Sequence, residues 1–168
     1  MPPVEDVAGA LKAAMRQMPS PVALVSASDP TTGENAGLAV TAFLPVSMDP
    51  PSMLVCVNRS ASAFPLLQGV DRYCINVLEA SQGDRLSPFA DSRRRDERFV
   101  GDDWRSRHGV IYLSGSPASI FCKKVSMVDF GTHSIVLGQV IDVALEACGH
   151  PALWHGGRMI ALDLTQFD

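Results

Sequence analysis

Four short stretches of the chain carry side chains able to do chemistry. Val57-Asn58-Arg59-Ser60-Ala61-Ser62 closes a β-like run and opens a helix-like one. A helix start leaves free N–H groups and a positive dipole end, and here an arginine and two hydroxyls stand beside it. That combination suits a phosphate, and an ordinary capped helix uses the same residue types. Trp154-His155-Gly156-Gly157-Arg158 joins a stacking face, two glycines that permit close backbone approach, and a guanidinium; a plain Gly-rich turn reads the same way. His133 follows Phe130-Gly131-Thr132 and opens a long apolar run, either as a structural residue or as a hydrogen-bond donor and proton source at a barrel mouth. The fourth stretch, Asp91 to Arg98, is basic but carries its own acids. It is a solvated helical face or a site for phosphate or carboxylate.

Other chemistries lack their residues. Neither G-x-G-x-x-G nor G-x-x-x-x-G-K-[ST] occurs, and no G-x-S-x-G elbow is present. Cys56, Cys74, Cys122 and Cys148 are far apart and sit among apolar residues, which predicts buried free thiols in a reducing, cytoplasmic compartment and no metal site. A net charge of −4 argues against a nucleic-acid binder. No apolar run reaches the roughly 20 residues of a membrane helix. MPPVEDVAGA lacks a basic segment before an apolar one, so no secretory signal is expected.

The elements that must position these residues follow from periodicity. With 168 residues, 46% of them hydrophobic and 19% charged, one domain over residues 1–168 with a sizeable core is expected. Val7, Ala10, Leu11, Ala14, Met15 and Met18 recur at helical spacing, and Pro19 and Pro21 stop that helix. Residues 21–43 read as a hairpin around the turn-rich DPTTGENAG, and 52–58 as a strand buried on both faces. Ser60 reads as the cap of a helix stopped by Gly69, 71–78 as a strand, and 81–99 as polar helix. A loop follows around Gly101 to Trp104. SIFCKKVSMVDF and THSIVLGQVIDVAL are two long strands joined at Phe130-Gly131, and MIALDL is the last. Some seven strands without strand–helix alternation predict a mainly β fold: a closed or partly closed antiparallel barrel with helices set around it.

One strand is odd. Residues 40–51, VTAFLPVSMDPP, place Thr41, Ala42 and Ser47 where a sheet normally wants bulk. Either the spot is crowded, or a flat ligand lies against this backbone and needs the room.

Taken together, these stretches resemble the flavin reductase domain family, the small partners of two-component flavin monooxygenases. PSPVALVSAS is similar to that family's P-x-G-V-x-V-V-[ST] run, GLAVTAFLPVSMDPP to its small-residue strand, and VCVNRSAS to its phosphate segment. INVL, RRDERF, THSIVLGQV and the Gly-Gly-Arg loop follow in the family's order, from about Leu11 to Leu164. The resemblance implies an antiparallel Greek-key split barrel that binds FMN or FAD. The flavin ring would lie against Thr41, Ala42 and Phe43, with Ser47 near its polar edge and Asn76 reaching it from a neighbouring strand. Asn58, Arg59, Ser60 and Ser62 would hold the ribityl and phosphate groups. Trp154, His155, Gly156, Gly157 and Arg158 would help hold NADH or NADPH, and His133 would orient the nicotinamide or supply a proton as the catalytic residue. The implied reaction is hydride transfer to N5 of the flavin, with reduced flavin passed to a separate monooxygenase, in a homodimer. A split barrel that merely binds flavin or haem is the alternative. The chain departs from the family pattern at Thr132, where an Asp often precedes the histidine, so carboxylate help would come from Asp129. It also departs at Pro21 and Pro45.

Overall fold

The computed structural model describes residues 6–147 and 150–162, so Cys148 and residues 163–164 of the last expected strand lie outside the described residues. Seven strands make one antiparallel sheet: β2 (Ala23–Ser28), β3 (Asn35–Val40), β4 (Phe43–Met48), β5 (Pro51–Asn58), β6 (Arg72–Val77), β9 (Ala118–Phe130) and β10 (His133–Leu145). Their order is β3-β2-β6-β9-β10-β5-β4. The sheet's two edges are therefore β3 and β4, which are consecutive in the chain. Only Thr41 and Ala42 separate them, and Val40 to Phe43 spans no more than about 11 Å. In a flat sheet six strand spacings would hold the edges about 29 Å apart. The sheet must roll up, and Thr41–Ala42 is the corner where its edges meet. Cys56 N–H donates to the Ala42 carbonyl at 2.9 Å and pins the corner to β5.

This corner answers the question of the odd strand. Residues 40–48 are not one strand; the chain changes edges in the middle, and small residues permit the turn. Pro45 causes no break because β4 is an edge strand with a bulge between Pro45 and Ser47. The barrel interior is filled by Val25, Val40, Met53, Val55, Val57, Ile75 and Val136, with Tyr73 and Cys122 among them. β5 buries Met53, Val55 and Val57 but leaves Leu54 and Cys56 half-exposed. It is thus buried on one face rather than on both as expected.

The expected first helix is α1 (Val7–Arg16), where the Asp6 carboxylate accepts from Gly9 N at 2.8 Å. None of its residues is buried. α2 is only Phe64–Gly69, and its cap position is Ala63, not Ser60. Residues 81–99 split into α3 (Gly83–Ala90) and a 3₁₀ segment Ser92–Glu97, because the Asp91 side chain accepts from Arg93 N and breaks the helix. Two hairpins go beyond the expected strands, although the start of the expected last strand, Met159–Ala161, is found in the second of them. β7 (Trp104–Arg107) pairs with β8 (Val110–Leu113), and β11 (Ala152–His155) pairs with β12 (Arg158–Ala161) and with the two-residue β1 (Ser20–Pro21). Each strand is four residues or fewer, and β7 is largely polar and exposed. A second core of Val22, Leu24, Leu78, Leu86, Phe89 and Leu113 sits under α3, capped by the rings of Phe89, Phe99 and Trp104.

Candidate functional site: the seam of the barrel

A cleft of about 350 Å³ opens where the rolled sheet meets α3. Its walls are apolar: Leu38, Ala39 and Val40 from β3, Leu86 and Phe89 from α3, and Trp154 from β11. Thr41 and Asn58 supply the polar rim, and Ala61 adds a small residue. The volume lies in the range of small-molecule sites, and so does the character, apolar walls with a few polar groups. A second cleft of about 190 Å³ continues along the same two chain segments, lined by Asn35, Gly37, Ser62, Arg95, Arg98 and Phe99, among others. Arg98 donates to the Ser62 hydroxyl at 3.1 Å and to the Gly37 carbonyl at 3.1 Å, and lies over the Phe89 ring. Partial burial, together with the nearby Arg95 charge, holds its pKa below the ordinary guanidinium value. No carboxylate pairs with Arg95 or Arg98 among the described residues. The apolar cleft is thus neighboured by one that brings two arginines against a single carboxylate, Glu34, a net positive charge that an anion would relieve. The larger opening of about 820 Å³, between the 28–34 turn and residues 65–72, shares only Ser62 with the residues expected to bind ligand.

His133 reaches this region through strand register. It is the Cα partner of Asn58 across β10 and β5. Val57 and Ser134 are buried, so the pair Asn58–His133 projects from the outward face of the barrel. Thr132 Oγ1 lies 2.9 Å from His133 Nδ1. The expected help from Asp129 does not materialise, because that carboxylate is bound by Arg59 Nη1 at 3.2 Å and by the Ser134 hydroxyl.

Several expected ligand groups are engaged by the protein itself. Asn76 is fully buried: its amide donates to the Leu24 carbonyl and the Ser26 hydroxyl, and its oxygen accepts from Leu113 N, at 2.9–3.0 Å. It is a knot inside the sheet and does not reach a ligand at the surface. Arg59 donates to Asp129 and to the Gly131 carbonyl, and the Asn58 oxygen accepts from both the N–H and the hydroxyl of Ser60. The helix starts only at Phe64 and not at Ser60, and Asn58, Arg59 and Ser60 line, with Phe64 and Thr132, an open cleft of about 570 Å³ before it. Ser47 closes the β4–β5 turn, accepting from Asp49 N at 3.0 Å. Its cross-strand partner is Ser52, six residues or about 20 Å along β5 from Asn58. Phe43 turns toward the barrel core, whereas Thr41 and Ala42 stay exposed at the corner. Gly156 and Gly157, at φ 60° and 87°, form the two-residue turn of the β11–β12 hairpin, which explains both glycines without a ligand. Arg158 is exposed, His155 Nδ1 is buried without a hydrogen-bond partner, and of that loop only Trp154 lines the cleft. Phe89 carries no signal in the sequence, whereas Arg95 and Arg98 belong to the run Asp91–Arg98 that is open to a phosphate or carboxylate. The basic run pointed to the two arginines, but only the 3₁₀ kink decides which of its side chains face inward.

Residues 15–163 match the model of the flavin reductase like domain. The reductase component of the FADH(2)-dependent resorcinol hydroxylase of Rhizobium sp. (strain MTP-10005) is 32% identical over 158 residues, covering 94% of this chain and 88% of that protein. FMN reductase (NADH) RutF 2 of Methylorubrum extorquens (strain PA1) is 37% identical over 152 residues, covering 90% and 87%. Among solved structures, the Streptomyces globisporus C-1027 NADH:FAD oxidoreductase SgcE6, in complex with NAD and FAD fragments, superposes with a TM-score of 0.86 at 25% identity, covering 98% of each chain. With the family pattern met over nearly the whole described chain and the barrel shared, this protein belongs to the flavin reductase like domain family.

Proposed function

We propose that the protein is an NAD(P)H:flavin oxidoreductase that reduces FMN or FAD and hands the reduced flavin to a partner monooxygenase. The observation that carries this reading is the apolar cleft at the seam, neighboured by a basic one along residues 34–41 and 58–63. A flat ring system with an anionic tail matches that pair of clefts in both shape and charge. Bound there, the flavin would supply the two-electron chemistry, accepting hydride from the nicotinamide. Leu38 to Val40, Phe89 and Trp154 would grip the ring and exclude water, and Thr41 and the free amide N–H groups of Asn58 would fix its polar edge. Ser62, Arg95 and Arg98 would hold the phosphate, in place of Arg59 and Ser60. His133, opposite Asn58 on the outward face, would meet the nicotinamide or hold a proton at its Nε2.

A haem-binding role is less well supported, because no histidine, cysteine or methionine lines the apolar cleft. The outward face of β9 and β10 exposes Val128, Phe130, Ile135, Ile141, Val143 and Leu145, and a second copy of the chain would cover it as a homodimer. The protein would work in the cytoplasm, where free Cys56, Cys74 and Cys122 stay reduced. Among the described residues no helix is long and apolar enough to cross a membrane.

NADH or NADPH oxidation by dialysed protein, with and without added FMN or FAD, tests the reading. Turnover that depends on free flavin is expected. Tightly held colour with no turnover would leave only a flavin-binding role. Light scattering should report a dimer, and a monomer would remove the second copy from that face.

A further inference from the structure

Arg59 follows Asn58 at the end of β5, lines neither cleft at the seam, and turns its side chain toward the β9–β10 hairpin, beside an open cleft of about 570 Å³ that it shares with Asn58, Ser60, Phe64 and Thr132. Nη2 donates to the Gly131 carbonyl at 2.6 Å, Nη1 to the Asp129 carboxylate at 3.2 Å, and its backbone N–H to the Thr132 carbonyl at 3.0 Å. The other Asp129 oxygen accepts from Ser134, whose hydroxyl is buried. The side-chain pair therefore ties down the turn on both sides of His133, Gly131 through its carbonyl on the guanidinium and Ser134 through its hydroxyl on the Asp129 carboxylate, while Thr132 is held by the Arg59 backbone alone. The β10–β5 ladder ends at His133 opposite Asn58, and the Arg59 N–H adds one bond beyond it. The hairpin tip itself is exposed, with Gly131 at φ 57°, and such tips are the first parts of a sheet to open.

We propose that Arg59 is a positioning residue that fixes the His133 turn against Asn58, and not a ligand of the flavin phosphate. This rests on His133 serving the nicotinamide side of the reaction. An ion pair with side chains 45% and 56% exposed contributes little to stability, so its value lies in geometry. A guanidinium fork can hold a carboxylate and a carbonyl together, which a lysine ammonium does in no fixed orientation.

The test compares Arg59→Met, Arg59→Lys, Asp129→Asn and the double variant Arg59→Met/Asp129→Asn. Readouts are kcat, KM for NADH, Kd for FMN, and the His133 ring resonances by NMR. Arg59→Met should lower kcat/KM for NADH about tenfold, since small misplacements of a reacting partner are costly, and leave the Kd for FMN nearly unchanged. Arg59→Lys should recover little of the loss. The double variant should lose less than the sum of the two single losses, because the Arg59–Asp129 contact is common to both while Gly131 and Ser134 are each held by one of them. A weakened FMN Kd with NADH parameters intact would overturn the proposal and return Arg59 to the phosphate, and additive losses would overturn the shared contact. Should His133→Ala prove neutral, the role of His133 fails. The clamp is then judged by the His133 resonances alone, which must still move in Arg59→Met; unmoved resonances overturn it.

Discussion

Two asparagines of the same barrel, one inside the sheet and one at its rim, have opposite fates. Asn76 sits where β2, β6 and β9 meet, with its amide and carbonyl groups all bonded inside the sheet. Asn58 ends β5 on the outward face, engages only Ser60 through its oxygen, and leaves its amide N–H groups to the cleft. Both follow an apolar residue of a β-strand, Val57 and Ile75, so residue type and the run before them do not separate the two. The distinction is whether hydrogen-bonding capacity is consumed by the protein or left over. A buried amide must be satisfied within the fold, and only a rim amide can be saved for a ligand.

The largest effect should come from the interior. Asn76→Ala leaves the Leu24 carbonyl and the Leu113 N–H without its amide in a dry region, while the Ser26 hydroxyl keeps its bond to the Ile111 carbonyl. With unmet buried groups costing 1–3 kcal/mol apiece, a loss of about 3 kcal/mol in urea unfolding is expected. Flavin affinity of the molecules that remain folded should hold. A variant of normal stability that loses flavin would erase the contrast with Asn58.

His133→Ala sharpens the contrast from the rim side. Turnover should fall on the order of 10²-fold, the low end for a group handling a proton, with the flavin Kd and the unfolding midpoint little changed. His133 has one side-chain contact among the described residues, its Thr132 neighbour, so the fold has little to lose. Equal loss of flavin binding and turnover would show that it braces the site.

Trp154→Ala should weaken flavin binding by up to about tenfold, the scale of one aromatic contact. The side chain is 37% exposed and its hairpin is held by backbone pairing, so the unfolding midpoint should barely move. Unchanged affinity would place the ring elsewhere.

The strands of the barrel were legible because β-rich apolar runs mark them, as in residues 23–28, 51–58 and 118–145, although the run at 52–58 overstated the burial of β5. The seam was not, because Thr41–Ala42 carries the β-compatible types of the strands beside it. That they form a corner follows only from strand order. In the site, Thr41, Asn58, Ser62, Trp154 and His133 fall on or beside the clefts. Asn76, Arg59, Ser60 and Ser47 proved to be committed to other partners. Residue type tells which groups can bind a ligand, but the partners that use up that capacity at Asn76 and Arg59 come from strands 37 to 70 residues distant.

The smallest effect is expected at the far side of the barrel, where a second histidine shows what a fully used one looks like. His108 lies 2.6 Å from Asp142 through Nε2 and packs edge-on against Phe121, and Arg107 reaches the same carboxylate at 2.6 Å. Its carbonyl accepts from Arg72. The hydrogen bond from His108 first, then the Val143 N–H and the Arg107 charge, hold the Asp142 carboxyl below its usual pKa. A carboxyl depressed in the folded state stabilises above its unfolded pKa and loses that contribution as pH falls through the folded value. Asp142→Asn should therefore melt slightly below the natural protein at pH 7, and the gap should close in acid below the ordinary aspartate range. Turnover at pH 7 should stay the same, since Asp142 lines neither cleft at the seam. A gap that persists in acid would mean that the carboxylate acts by shape rather than charge. A loss of turnover would link the two ends of β10, and with them the two histidines that this comparison holds apart.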